Sequence, residues 1–283
     1  MTNFIPVNVP LLSGNEKKYI NECIDTGWIS SEGPFVERFE QAFAARVGRK
    51  YAIAVSNGSA ALDVAIAAIE IQEGDEVILP TFTIISCAQA IVHAGGIPVV
   101  VDSNAETWNM NVEDIESKIT SRTVAIMAVH LYGLPNDMDA IHRIAEKHGL
   151  KVIEDAAQAI GLKYNGHECG SFGDISTFSF YPNKHVTTGE GGMVLTDDPK
   201  LAERCRRLRN LCFMPEKRFV HEELGWNYRL TNMQAALGLA QLEKLDEHLE
   251  IKRQIGSKYN KLLSGVSGLQ LPVPTQASAE NLY

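Results

Sequence analysis

From about residue 50 the chain alternates short β-branched runs with longer amphipathic stretches, a rhythm that few folds can accommodate. "YAIAV" (51–55), "DEVILP" (75–80), "IPVVVD" (97–102), "TVAIMAVH" (123–130) and "LKVIEDAA" (150–157) read as strands. They are apolar throughout and not only at every second residue, as strands covered on both faces must be. Between them, "SNGSAALDVAIAAI" opens with Ser/Asn/Gly and "TIISCAQAIVHAGG" closes with glycine, the marks of a helix start and a helix stop. Further helical segments fall near 111–118 and 137–148. Strand and helix in alternation predict an α/β fold with a mostly parallel, doubly wound sheet. "DISTFSFY" (174–181) and "GGMVLT" (191–196) add two more strands, which brackets the segment "PNKHVTTGE" between them.

From about 198 helices dominate: "DPKLAERCRRLRNL", then "TNMQAALGLAQLEKLDEHLEIKRQIGSKYNKLL". The second run is too long for an ordinary globular helix and is expected to be a kinked helix linking to another unit. The chain stops at "LQLPVPTQASAENLY", where a new strand-like element would begin, and "ENLY" resembles the start of a protease-site tag, so the end reads as native or as a cloning remnant.

Composition removes several classes of function. The 283 residues suit one large domain with or without an appendage, and 45% hydrophobic residues can fill a sizeable core. A formal charge of −9 argues against a nucleic-acid binder held by phosphate contacts, and the basic run "RCRRLR" (204–209) reads as the solvated face of a helix. Five cysteines, Cys23, Cys87, Cys169, Cys205 and Cys212, are odd in number and share no metal-ligand spacing, so reduced thiols in a cytosolic protein are expected, with no metal site. The start lacks the basic and apolar regions of a signal peptide, and no apolar run approaches the roughly 20 residues of a membrane span.

In open α/β sheets ligands collect beyond the carboxyl ends of the strands. The first strand ends at Ser56, Asn57, Gly58 and Ser59, where glycine and first-turn amides suit a phosphate, although an ordinary helix cap explains the same residues. His130 closes the fourth strand, as a packed or capping group or as a catalytic one. Glu154 and Asp155 close the fifth, where a buried carboxylate requires a cation or strong hydrogen bonds, whether from neighbouring Lys or Arg or from a protonated cofactor ring. Lys184 lies between a sheet strand and the glycine-rich "GEGG", which matches neither a P-loop nor a dinucleotide fingerprint. A lysine partly removed from water gives up its proton more readily and attacks aldehydes as a neutral amine. Phosphate cradle, strand-end aspartate and internal lysine are what pyridoxal 5'-phosphate requires: Lys184 for the Schiff base and Asp155 to keep the pyridine nitrogen protonated, with Ser179 as a further phosphate contact. At ~3 Å and an effective dielectric of about 20, the Asp155 attraction would be roughly 5 kcal/mol gross.

At this point the chain resembles the DegT family of nucleotide-sugar aminotransferases, particularly its perosamine-synthase-like members. The resemblance is carried along the whole chain by "GWISSEGPFVERFE", "SNGSAAL", "GDEVILPTFT", "AVHLYG", "VIEDAAQAIG", "GSFGDISTFSFYPNKHVTTGEGG" and "NYRLTNMQAALGLAQL". It implies an aspartate-aminotransferase-like (fold type I) large domain with a mostly parallel seven-stranded sheet and a homodimer with shared active sites. The corresponding division is an N-terminal arm plus cofactor domain over 1–240, then a linking helix and the start of a shortened small domain over 241–283. It also implies that Lys184 is the Schiff-base lysine and Asp155 the ring-nitrogen partner, with Gln158 touching the phenolic oxygen. Gly58, Ser59, Ala60 and Ser179 resemble the phosphate site, which Asn227 would complete from the neighbouring subunit. Arg229 would hold the carboxylate of the amino donor across the same interface, and His130 falls on the substrate side. Ile84 departs from the aromatic residue many relatives carry over the ring, forfeiting a stacking contribution of roughly 0.5–1.5 kcal/mol.

The expected reaction is transfer of an amino group, with glutamate the expected donor, to a nucleotide-linked keto-sugar in the cytoplasm. Dehydration of such a sugar on the same scaffold is the nearest alternative, but dehydratases replace the lysine with histidine, whereas here Lys184 is present with His185 beside it. A shortened, catalytically silent cofactor-binding subunit is a further alternative. A nicotinamide-dependent oxidoreductase lacks its glycine fingerprint.

Overall fold

The computed structural model describes residues 4–214 and 219–273. Two helices, α1 (Glu16–Thr26) and α2 (Pro34–Val47), precede the first strand. The strands are β1 (Tyr51–Val55), β2 (Glu76–Pro80), β3 (Ile97–Val101), β4 (Thr123–Val129), β5 (Lys151–Asp155), the short pair β6 (Lys163–Tyr164) and β7 (His167–Glu168), β8 (Ile175–Ser179) and β9 (Gly192–Thr196). Interleaved with them are α3 (Gly58–Ala68), α4 (Ile85–His93), α5 (Ile115–Lys118) and α6 (Met138–His148); α7 (Pro199–Arg209), α8 (Asn232–Leu242) and α9 (Leu245–Leu263) follow.

The seven-stranded sheet runs β1-β9-β8-β5-β4-β2-β3. Four neighbouring pairs are parallel, and β9 is antiparallel to both β1 and β8. The expectation of a mostly parallel sheet is therefore met, with β9 the single reversed strand. Because β9 is reversed, the segment carrying Lys184 is a direct connection between neighbours, β8 to β9, and needs no crossover helix.

Period-2 alternation distributes the strand residues between two covered faces. Val77, Leu79, Met127 and Val194 pack beneath α3, α4 and α7, while Ile78, Ile126 and Val152 pack against α5 and α6 on the opposite face. On that second face α1, α2 and α8 bury Phe35, Phe39 and Phe43 against Phe178, Phe180, Met193 and Leu195. Phe43 meets Phe178 and Phe180 edge-on, at ring separations of 4.9 and 5.1 Å. Each of these phenyl groups contributes roughly 1.5–3 kcal/mol by leaving water. Pro34 begins α2 at a position where a missing N–H costs nothing, and Gly48 ends it in the left-handed region at φ 82°.

Three sequence expectations are modified. The long C-terminal run is two helices, with the ladder interrupted at Glu243 and Lys244. The "RCRRLR" face is not simply solvated: Arg204 and Arg207 pair with Glu223, and Arg209 binds Glu40 and the carbonyl of Ala54. The strand-like element expected from Leu269 is not formed over 269–273, and the remainder, with "ENLY" itself, lies over 274–283, outside the described residues. Among the described residues no helix is long and apolar enough to cross a membrane, and all five cysteines are buried and free.

Candidate active site

The carboxyl ends of β1, β2, β4, β5 and β8 converge on a cleft of about 640 Å³. Its lining includes Gly58 and Ser59, Ile84, His130, Asp155, Gln158, Ser179 and Lys184. Residues as far apart in sequence as Asn57 and Glu190 are thus gathered by the sheet order.

One end of the cleft is the N-terminus of α3. Asn57 caps that helix, its Oδ1 accepting from the Ala60 amide at 2.8 Å. Ala60 is buried and its N–H is committed to this cap, so of the three backbone positions expected to face a phosphate, Gly58 and Ser59 border the cleft and Ala60 does not. A first helical turn offers amides without intrahelical acceptors and a partial positive charge. The hydroxyls of Ser59 and Ser86 are 2.8 Å apart at the same end, and Ser179 stands beside them. Gly58 is required by contact: a Cβ there would lie 2.7 Å from the Cβ of Ser179. Gly192 is required likewise, since a Cβ would collide with the carbonyl of Asn57.

At the centre Asp155 is almost fully buried. Its Oδ1 accepts the Ala157 amide at 2.9 Å, and its Oδ2 accepts the Cys87 thiol at 3.2 Å. Burial raises the proton affinity of this carboxyl, opposed by the two hydrogen bonds and by the charge of Lys184. Lys184 is half-buried on a turn closed by its own amide to the Tyr181 carbonyl at 2.9 Å. Burial lowers its proton affinity, and the charge of Asp155 partly restores it. Burial thus favours the neutral, nucleophilic amine, and the carboxylate opposes it.

Gln158 and Ile84 flank this pair; Gln158 Oε1 accepts the Tyr132 amide at 3.1 Å, and Ile84 is 59% exposed at the mouth. The hydroxyl of buried Thr177 lines the cleft and has no hydrogen-bond partner within the protein. The donor set therefore fits pyridoxal phosphate: amides and hydroxyls at a helix N-terminus for the phosphate, a carboxylate for the ring nitrogen, an amine for the aldehyde, and an orphaned buried hydroxyl in reserve.

His130 differs from its expected substrate role. It is fully buried; Nε2 donates to Glu154 Oε1 at 2.9 Å, and Nδ1 accepts the Asn136 amide at 3.1 Å. Both ring nitrogens are spent inside the protein, leaving His130 as a wall of the cleft. Glu154 also accepts the amides of Gly170, Phe172 and Gly173. Burial opposes its charge, but the His130 and amide hydrogen bonds outweigh that and hold the carboxyl below its usual range. Cys169 lies close enough to complete a three-ligand cluster with His130 and Glu154, but the carboxylate is already saturated by four donors. His185 turns away from the cleft to the Ile160 carbonyl at 3.0 Å, and burial brings it down to about 4.

Asn227 and Arg229 do not border the cleft of their own chain. Asn227 is exposed, and Arg229 binds Asn210 Oδ1 at 2.7 Å beside the end of β1. Ser86, Thr177, Tyr181, Asn183 and Glu190 line the cleft without having been singled out from sequence. Ser86 alone carried a usable signal, a small hydroxyl in the first turn of a helix that follows a parallel strand.

Residues 10–283 match the profile of the DegT/DnrJ/EryC1/StrS aminotransferase family. GDP-perosamine synthase of Escherichia coli O157:H7 is 50% identical over 263 residues, 93% of this chain and 72% of that protein. The Vibrio cholerae protein of the same name is 46% identical over 93% of this chain and 71% of its own length. Among solved structures, S. venezuelae DesV in complex with a ketimine intermediate superposes with a TM-score of 0.88 at 38% identity, covering 93% of this chain and 71% of DesV.

Proposed function

The chain belongs to the DegT/DnrJ/EryC1/StrS aminotransferase family and is a pyridoxal-phosphate-dependent sugar aminotransferase, and from that premise we propose that it moves nitrogen from L-glutamate to a nucleotide-linked keto-deoxysugar of the perosamine type. The observation that carries the site assignment is the pairing, across one cleft, of a half-buried Lys184 with a buried Asp155 beside the N-terminus of α3. The similarity to GDP-perosamine synthases supports the choice of acceptor.

When bound, pyridoxal phosphate supplies an aldehyde that condenses with amines and a ring that withdraws electron density from the adjacent carbon. The chain's residues would do the rest. The Gly58 and Ser59 amides, with the Ser59, Ser86 and Ser179 hydroxyls, would hold the phosphate. Asp155 would keep a proton on the ring nitrogen, Gln158 would orient the ring, and Ile84 would shield it from water. Lys184 would supply the amine for the aldehyde and, when free, a base at the substrate carbon, and burial favours its neutral form in both roles. His130 buttresses the wall through Glu154 instead of touching substrate.

Asn227 and Arg229 serve the cleft of a second copy, Asn227 at the phosphate and Arg229 at the donor carboxylate. Exposed Phe82, Ile84, Ile85, Tyr132 and Tyr181 around the mouth support a covered interface there. The proposed division between a cofactor domain and a linking helix, near residue 240, falls close to the junction of α8 and α9. The free cysteines support a cytoplasmic setting.

The test is direct. The purified protein should be yellow with cofactor, lose that band on borohydride reduction with the label on Lys184, and shift to the amine form with glutamate. Lys184→Ala should abolish labelling and turnover; labelling at another lysine, or normal turnover by this variant, refutes the assignment.

A further inference from the structure

Behind Asp155, on the side away from the cleft, three side chains form a directed chain of hydrogen bonds. Thr83 Oγ1 donates to the sulfur of Cys87 at 3.1 Å, and that thiol donates to Asp155 Oδ2 at 3.2 Å. Cys87 is completely buried in the first turn of α4 and does not border the cleft. We propose that Cys87 is a positioning residue for the aminotransferase reaction, holding the Asp155 carboxylate in the single rotation that presents it to the cofactor's ring nitrogen. The proposal rests on the reading of Asp155 given above.

The direction of the chain follows from the thiol's environment. Burial, and the carboxylate charge beside it, push Cys87 far above the ordinary thiol range. It therefore stays S–H and can only donate toward Asp155. The Ala157 amide fixes Oδ1 at 2.9 Å, so the two oxygens are held from two sides and the carboxylate cannot spin. A thiol suits this place because it is a weak donor. A strong donor would draw charge from Oδ2 and weaken the attraction for a ring N–H; the thiol fixes orientation while leaving most of that charge available. The thiol also fills the space between α4 and the β5 terminus that a smaller side chain would leave open.

Two measurements decide the matter. In cofactor-free protein the infrared S–H stretch of Cys87, isolated as the difference between wild type and Cys87→Ser, should lie below the position of a non-bonded thiol and move toward it in Asp155→Asn. A band already at the non-bonded position overturns the proposal. With cofactor, Cys87→Ala should lower kcat about three- to tenfold, the worth of one net hydrogen bond, with KM for the donor unchanged and the visible band of the bound cofactor displaced. Cys87→Ser, which keeps a donor to fix the carboxylate but a stronger one that draws on its charge, should fall between wild type and Cys87→Ala. Wild-type behaviour in Cys87→Ala, or equal impairment in the serine and alanine variants, overturns the proposal. If wild type itself fails to take up cofactor, the proposed function falls, and the infrared band still decides whether the thiol holds Asp155.

Discussion

Replacing Gly58 by alanine tests the phosphate end of the cleft with a single methyl group. The new Cβ would stand 2.7 Å from the Cβ and 3.0 Å from the Oγ of Ser179. Carbon atoms in contact prefer about 3.5–4.0 Å, so either Ser179 or the first turn of α3 must retreat by roughly 1 Å. Overpacking of this kind costs about 1–3 kcal/mol. Both partners that would move belong to the proposed phosphate site, so the cost should fall largely on cofactor affinity, weakening it by roughly five- to 150-fold at 1.4 kcal/mol per decade. Fluorescence titration of cofactor-free protein measures this, with the thermal midpoint of the same sample as the control for general damage. Ser179→Ala keeps the offending Cβ and should not relieve the clash; Ser179→Gly removes it. Gly58→Ala introduced into the Ser179→Gly background should therefore cost much less than in wild type. Equal costs in the two backgrounds, or wild-type affinity in Gly58→Ala, would refute the contact argument.

Glu154→Ala strands His130 and three amides in the interior, and should destabilise the fold by about 3–5 kcal/mol in denaturant unfolding. The same carboxyl has a lowered folded-state pKa, so its stabilisation is present above the unfolded value of about 4.3 and disappears as pH falls through the folded value; Glu154→Gln should flatten the acid limb of the stability curve. The pH dependence of cofactor uptake should show its inflection below the ordinary lysine value of about 10.4, and Asp155→Asn, which removes the charge that raises Lys184, should move it lower still; an inflection that moves upward contradicts the pairing. Asn227→Ala should weaken phosphate binding, and co-expression with Lys184→Ala should restore activity in mixed dimers; no restoration would place Asn227 outside a shared site.

Sheet and cleft were legible to different degrees. All seven strands of the main sheet were readable, although β8 mixes Ser and Thr with Ile and Phe, and the apolar edge strand β3 leaves Ile97 and Val100 exposed, against the expectation of cover on both faces. The reversal of β9 was not, since its direction depends on pairing with β1 and β8 and leaves no trace in the run "GMVLT". Lys184, Asp155, Gly58, Ser59 and Ser179 could be placed at the cleft because strand ends face one edge, a rule that needs no distances; Gln158 and Ile84, which also line it, were named from the family resemblance. Ala60 was misplaced for a local reason: Asn57 took its amide as a cap. His130 was misplaced for a remote one, a carboxylate 24 residues away. Cys87 could not be found at all, its partner being 68 residues distant and its sequence context that of any small helix residue. Helices α1 and α2, before residue 50, were not read from the sequence, although Pro34, the phenylalanines at 35, 39 and 43, and Gly48 carry a helix signal for α2.

The β8–β9 connection has a mechanical consequence. Ser179 is in register with Gly192, and within the turn Phe180 and Gly191, Thr188 and Phe180, and the Thr187 hydroxyl and Phe180 are stitched together at 2.8–3.0 Å. The Lys184 amine thus rides on a stapled loop whose two feet stand on adjacent strands. In the proposed reaction its travel would come from torsion about its own four side-chain bonds, with the backbone serving as a fixed pivot. An inserted residue that propagated into β9 would exchange the faces of Met193, Val194 and Leu195, so the staple's length is set by the sheet as firmly as its position.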